Sequence, residues 1–168
     1  SHPVLFEKSP PHLVRADQLA QYFQPGYFLV TIRNPFAQIE GLLRRGWYTS
    51  GADAAGFWLD CARWQKRNLT QFPRTYFFTY EALCADPEGI LGAIAEFVPE
   101  LGGLAIPRNL HAHNASGRPL ERVTDLNAQK IHQLSAEDVY DISRVLETDA
   151  CLVEEFGYSP YVASANHS

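Results

Sequence analysis

Arg33 carries the strongest chemical signal in the sequence. It follows the apolar and β-branched run Tyr27-Phe28-Leu29-Val30-Thr31-Ile32 and leads straight into Asn34-Pro35-Phe36. The run reads as a strand of a parallel sheet, covered on both faces. Asn34 suits a helix N-cap and Pro35 the first helical position, where proline's missing N–H costs nothing. Ala37, Ile39, Leu42 and Leu43 carry the helix on, Arg44 and Arg45 fill its last turn, and Gly46 stops it. An arginine between a strand's carboxyl end and a helix N-terminus suits an anion such as phosphate. The helix offers N–H groups and a positive dipole end, and the guanidinium adds a charged fork. The plainer reading is an arginine that caps a neighbouring helix. Two further polar groups follow predicted strands: Lys8-Ser9 after Val4-Leu5-Phe6, and Tyr80 after the strand predicted at residues 75–79. Ligands of open α/β sheets sit at the carboxyl ends of the strands, so this convergence favours binding. His111 and His113 invite a zinc reading, but no cysteine or acidic cluster joins them, so no metal is expected.

These groups need elements to position them. The pattern predicts a short strand at Val4-Leu5-Phe6, then an amphipathic helix over residues 13–23 with Leu13, Leu19, Ala20 and Phe23 facing inward. Gln24-Pro25-Gly26 reads as a turn. After the strand and helix around Arg33 comes a long helix over 51–72, with Phe57, Cys61 and Trp64 at helical spacing, stopped by Pro73. Residues 75–79 read as a strand, and 88–98 as a helix with Ile90, Ile94 and Phe97 on one face. Residues 99–124 are rich in proline and glycine. Ser135, with Asp138 three residues on, should cap a last helix whose buried stripe is Val139, Ile142, Val145 and Leu146. Strands alternating with helices imply βαβ units. The expected fold is therefore one α/β domain over residues 1–168, a parallel sheet with helices on both faces.

Composition narrows the function. The chain has 168 residues, 46% hydrophobic and 20% charged, with a net charge of −5. Such a balance disfavours nucleic acid as the main partner. Residues 135–168 carry seven Asp/Glu against one Lys/Arg, and residues 1–48 three against five, which leaves the first part and the loop around Arg118 and Arg122 as the place for an anion. No apolar run approaches the roughly 20 residues of a membrane span. Cys61, Cys84 and Cys151 are few, odd in number and far apart, which fits reduced thiols in a cytoplasmic setting. Cys61 and Cys151 read as core residues. The sequons at Asn68 and Asn114 matter only in a secreted chain. The chain lacks methionine and begins Ser1-His2, which resembles a cleaved tag remnant and suggests a piece of a longer protein.

Four stretches together resemble the sulfotransferase family, which uses 3'-phosphoadenylyl sulfate as sulfuryl donor. They are Phe6-Glu7-Lys8-Ser9-Pro10, the strand ending in Arg33-Asn34-Pro35, Thr79-Tyr80-Glu81-Ala82-Leu83 with Asp86-Pro87, and Phe156-Gly157-Tyr158. They stand in family order and span almost the whole chain. The resemblance implies a P-loop-NTPase-like architecture and a donor site that releases adenosine 3',5'-bisphosphate. By matched position, Arg33 would bind the 3'-phosphate and Tyr80 would lie near the adenine. Gly117-Arg118 resembles, more loosely, the late segment that closes over the same phosphate. Lys8 stands where members often place a lysine near the transferred sulfuryl group.

The departures are as informative. Where members carry a serine that also holds the 3'-phosphate, this chain has Gly41, so Arg33, backbone N–H groups or a neighbour must compensate. No G-x-x-x-x-G-K-[ST] loop for the 5'-phosphosulfate precedes Val4, and the expectation is a downstream part lacking the first strand and its loop. Sulfuryl transfer needs in-line positioning, neutralised charge on the leaving phosphate and a general base for the acceptor. Pro10 replaces the histidine common in cytosolic members. His12 is the nearby candidate base, with a surface histidine as the plainer reading. Trp47 and Tyr48 are candidates for an acceptor pocket, whereas Trp64 reads as core. The acceptor class stays open among small molecules, carbohydrates and lipids. Two alternatives stand beside this reading: a non-catalytic nucleotide-binding or interaction module on the same fold, and a small-molecule kinase-like P-loop enzyme.

Overall fold

The computed structural model describes residues 4–103 and 123–162. Among them the chain is α/β and mostly helical, with one two-stranded parallel sheet. In chain order the elements are α1 (Ala16–Tyr22), β1 (Phe28–Ile32), α2 (Pro35–Arg44), α3 (Gly51–Gln71), β2 (Thr75–Thr79), α4 (Tyr80–Ala85), α5 (Pro87–Phe97), α6 (Asn127–Ile131), α7 (Ala136–Glu147) and α8 (Ala150–Glu155), with a 3-10 turn at Pro10–Val14 before α1 and another at Pro99–Leu101. The backbone falls into two compact units, residues 1–31 with 68–125 and residues 32–67 with 126–168.

In the first unit β1 and β2 form the sheet, and Phe28 N–H donates to Arg74 O at the entrance to the ladder (2.9 Å). α5 lays Phe97 against Tyr27 (ring centroids 5.5 Å, edge to face) and Tyr76 (5.7 Å). Such ring pairs contribute beyond the area they bury. Asp86 caps α5 through its carboxylate on Gly89 N–H (2.9 Å), and Thr79 caps α4 in the same way on Ala82 N–H (3.0 Å). Asn68 is buried and donates through Nδ2 to Leu13 O at 2.8 Å, tying the first 3-10 turn to the end of α3. That burial rules its sequon out as a glycan acceptor in the folded chain.

Among the described residues the second unit holds the larger core. Phe36, Ala37 and Ile39 of α2, Ala54, Ala55, Trp58, Leu59 and Ala62 of α3, Ile142 and Leu146 of α7, and Leu152 and Val153 of α8 are all buried. α2 forms as the sequence predicts, with Asn34 Oδ1 accepting from Ala37 N–H at 3.2 Å, Pro35 in the first turn and Gly46 beyond the end at φ +68°. α7 opens on the expected capping box, in which Ser135 Oγ accepts from Asp138 N–H at 3.0 Å. Gly51 starts α3 where a Cβ would lie 3.3 Å from Asp138 O and from Ile142 Cγ1, so the missing side chain lets α3 and α7 approach closely.

Four expectations need correction. Val4-Leu5-Phe6 is not a strand; all three side chains are exposed and the segment joins no ladder. An apolar run becomes a strand only where a neighbour takes its hydrogen bonds. Phe23 is exposed, and Ala16 is the buried residue of α1, because a 3-10 turn precedes that helix and shifts its phase. The buried stripe of α3 runs through Ala54, Ala55, Trp58, Leu59 and Ala62, which turns Phe57 (41% exposed) and Trp64 (36%) toward solvent. Small alanines admit close packing, and this outweighs the aromatic spacing. Cys151 is exposed rather than core. Among the described residues no helix is long and apolar enough to cross a membrane.

Candidate functional site

Arg33 is the first residue after β1 in the strand-to-helix turn, and two side chains fix it. Its Nε donates to Asn127 Oδ1 at 2.7 Å, and its carbonyl accepts from Trp58 Nε1 at 3.3 Å. Asn127 and Trp58 are both buried. The first bond sets the plane of the guanidinium, and the second pins the backbone that carries it. A charged fork is useful only when its orientation is set in advance, since ordering a long side chain at the moment of binding costs affinity.

α6 packs beside α2 and places a second cation there. Lys130 Nζ donates to Glu40 Oε2 at 2.5 Å, and Arg44 Nε donates to Glu40 Oε1 at 2.8 Å. Glu40 is only 4% exposed. One buried carboxylate thus meets two cations, and Arg33 adds a positive charge in the turn that leads into α2. A carboxylate leaves water at this depth only when opposite charges and hydrogen bonds compensate it. Gly41 is buried, and a Cβ built on it would lie 3.7 Å from Lys130 Nζ. The ammonium therefore fills the space beside this glycine. This donor set is cationic and nitrogen-based, and it fits a phosphate.

The remaining candidates have their own surroundings. Tyr80 begins α4, and its hydroxyl donates to Thr124 O at 2.9 Å. Lys8 is exposed in the segment before the first 3-10 turn. His12 is half-buried, not a surface residue, and both its ring nitrogens are shielded from solvent without a hydrogen bond; Nε2 lies 3.3 Å from Glu7 Oε1. Gly117 and Arg118, like His111 and His113, lie outside the described residues. Among the described residues no group of three or more His, Cys, Asp or Glu side chains could hold a metal ion. Trp47 is 66% exposed with Arg45 over its ring (5.5 Å), and Tyr48 meets Phe57 in a tilted ring pair (centroids 5.5 Å). The open groove of about 200 Å³ on α3 is lined by Asp60, Arg63, Trp64 and Arg67 and contains none of the phosphate candidates.

Asn127, Glu40 and Lys130 were not singled out by sequence reasoning. Glu40 and Arg44 have the spacing of a helical ion pair, which was a usable signal. Asn127 and Lys130 lie in a five-residue helix, too short for a periodic pattern, and they act on residues about ninety positions away.

Comparison with family models, with curated proteins and with solved structures finds no match to this chain.

Proposed function

We propose that this chain binds the 3'-phosphate of 3'-phosphoadenylyl sulfate and forms part of a sulfuryl transferase acting on a hydroxyl or amine acceptor. The observation that carries the reading is the guanidinium of Arg33, held by Asn127 at 2.7 Å directly after a parallel strand. The cationic surroundings of Gly41 support it, because they meet the need that the missing serine creates. In this reading Arg33 binds and orients the nucleotide. When bound, 3'-phosphoadenylyl sulfate supplies the sulfuryl group, and the protein's work is positioning and charge neutralisation. Lys8, His12 and Tyr80 keep the roles that the resemblance implies: cation for the leaving phosphate, base for the acceptor, and contact for the adenine. A P-loop-type sheet covered on both faces, a cytoplasmic setting and a small-molecule, carbohydrate or lipid acceptor belong to the same proposal. The shielded nitrogens of His12 favour a second reading, a nucleotide-binding module without catalysis. An acceptor screen comparing the chain with His12→Asn separates the two.

The test is titration calorimetry of adenosine 3',5'-bisphosphate into the chain and into Arg33→Ala. Saturable binding that drops at least about tenfold in the variant, as loss of a charge-assisted phosphate contact requires, supports the proposal. No binding by the folded chain, or binding indifferent to Arg33, overturns it.

A further inference from the structure

We infer that Lys130 is a phosphate ligand of this site, supplying from α6 the contact that Gly41 of α2 cannot make. The inference rests on the nucleotide reading above. An ammonium has three N–H groups and no acceptor. Among the described residues Lys130 Nζ uses one of them, on Glu40. The other two have no protein acceptor there, although the side chain is only 17% exposed. Holding a long, flexible side chain nearly out of water costs rotamer freedom and hydration, and a single ion pair uses little of its bonding capacity.

Position says where those N–H groups are. Nζ lies 3.7 Å from the point a Cβ of residue 41 would occupy, within the reach of a hydroxyl borne on that Cβ. Orientation is built in as well: Glu40 holds Lys130, and Arg44 holds Glu40. Finally, Asn127 and Lys130 are three residues apart on one helix, a spacing that puts two side chains on the same face. One residue of that face orients Arg33, and the other reaches the surface of α2 beside Gly41. α6 therefore sets both cations relative to one helix, α2. The chemical class that fits is a phosphate monoester, which offers several acceptor oxygens and at least one full negative charge. A lysine adds a full charge where a serine would add a neutral donor, and charge-assisted bonds are roughly twice as strong as neutral ones.

The test is titration of adenosine 3',5'-bisphosphate into the full chain, Lys130→Gln and Lys130→Arg, with thermal melting of each protein and Arg33→Ala as control. Lys130→Gln keeps a donor for Glu40 but removes the charge. The expected result is a loss of about tenfold or more in affinity, the usual effect of one charged contact, with Lys130→Arg retaining most of it and the melting midpoints close together. Unchanged affinity in Lys130→Gln overturns the inference. So does an equal loss in both variants, which would mark a packing role. In either case a sensitive Arg33→Ala leaves the nucleotide reading standing; no binding by the unaltered chain overturns both. Should Lys130→Gln fail to fold, the Glu40→Gln/Lys130→Gln pair removes the buried charge together with its partner and gives the same comparison.

Discussion

At position 41 the absence of a side chain is filled by a charge from another helix, and the same logic of environment separates the thiols. Burial pushes the Cys61 thiol up to about 11, helped by the nearby Asp60 carboxylate, whereas Cys151 is exposed. The thiolate is the reactive form. Iodoacetamide at pH 8 should therefore label Cys151 well before Cys61, as mass spectrometry of short time points would show; faster labelling of Cys61 would contradict the assignment. The linkage has a definite sign. Unfolded, this thiol ionises near 9.0, and folded near about 11. Between those values the unfolded chain gives up the proton first, so stability falls as pH rises through the interval. Cys61→Ala should flatten that part of the profile. None of this was readable from spacing, which put both cysteines in helical patterns and gave no means of telling the inward face from the outward one.

Among the elements, caps explain what was legible. The helix after Arg33 was readable because Asn34, Pro35 and Gly46 are local signals, each acting within a few residues of its position. α7 was readable for the same reason. The phase of α3 was not, since Phe57, Cys61 and Trp64 competed with alanines whose burial depends on what packs against them. α5 offers a test of how tightly a cap and its helix are coupled. A Cβ on Gly89 would come within 2.0 Å of Asp86 Oδ2, so Gly89→Ala must displace the capping carboxylate. Losing such a cap costs about 1 kcal/mol, and alanine in place of glycine returns about 0.5–1 kcal/mol of helix propensity. Gly89→Ala should therefore destabilise or leave unchanged the unaltered chain, yet stabilise the Asp86→Ala variant. Urea unfolding of the four proteins measures this. Additive effects of the two substitutions would show that the carboxylate relaxes without losing its bond.

Across the whole molecule the apolar core is unevenly shared. Among the described residues most buried apolar side chains belong to the second unit, whereas Ala16, Ile94 and Val98 are those of the first. Protection against amide exchange follows buried contacts. Among the described residues the slowest amides should lie in α2, α7, α8 and the first half of α3, and the fastest in residues 4–9. Hydrogen exchange with mass spectrometry would show this, and slow exchange in residues 4–9 would mean that the segment pairs with something. The alternation of strands and helices gave the α/β class correctly, because period and punctuation are sequence properties. It overstated the sheet, since an apolar stretch declares that it can pair but not that a partner is beside it.

Trp58 has a use that its packing role does not suggest. It is buried, while Trp47 is largely exposed and Trp64 lies at the surface. Its indole N–H is bonded to the carbonyl of Arg33. A water-soluble quencher would silence the outer two indoles first and leave the emission of the third. What remains is an optical signal wired to the backbone of Arg33, so a change at that residue can be followed in the unlabelled protein.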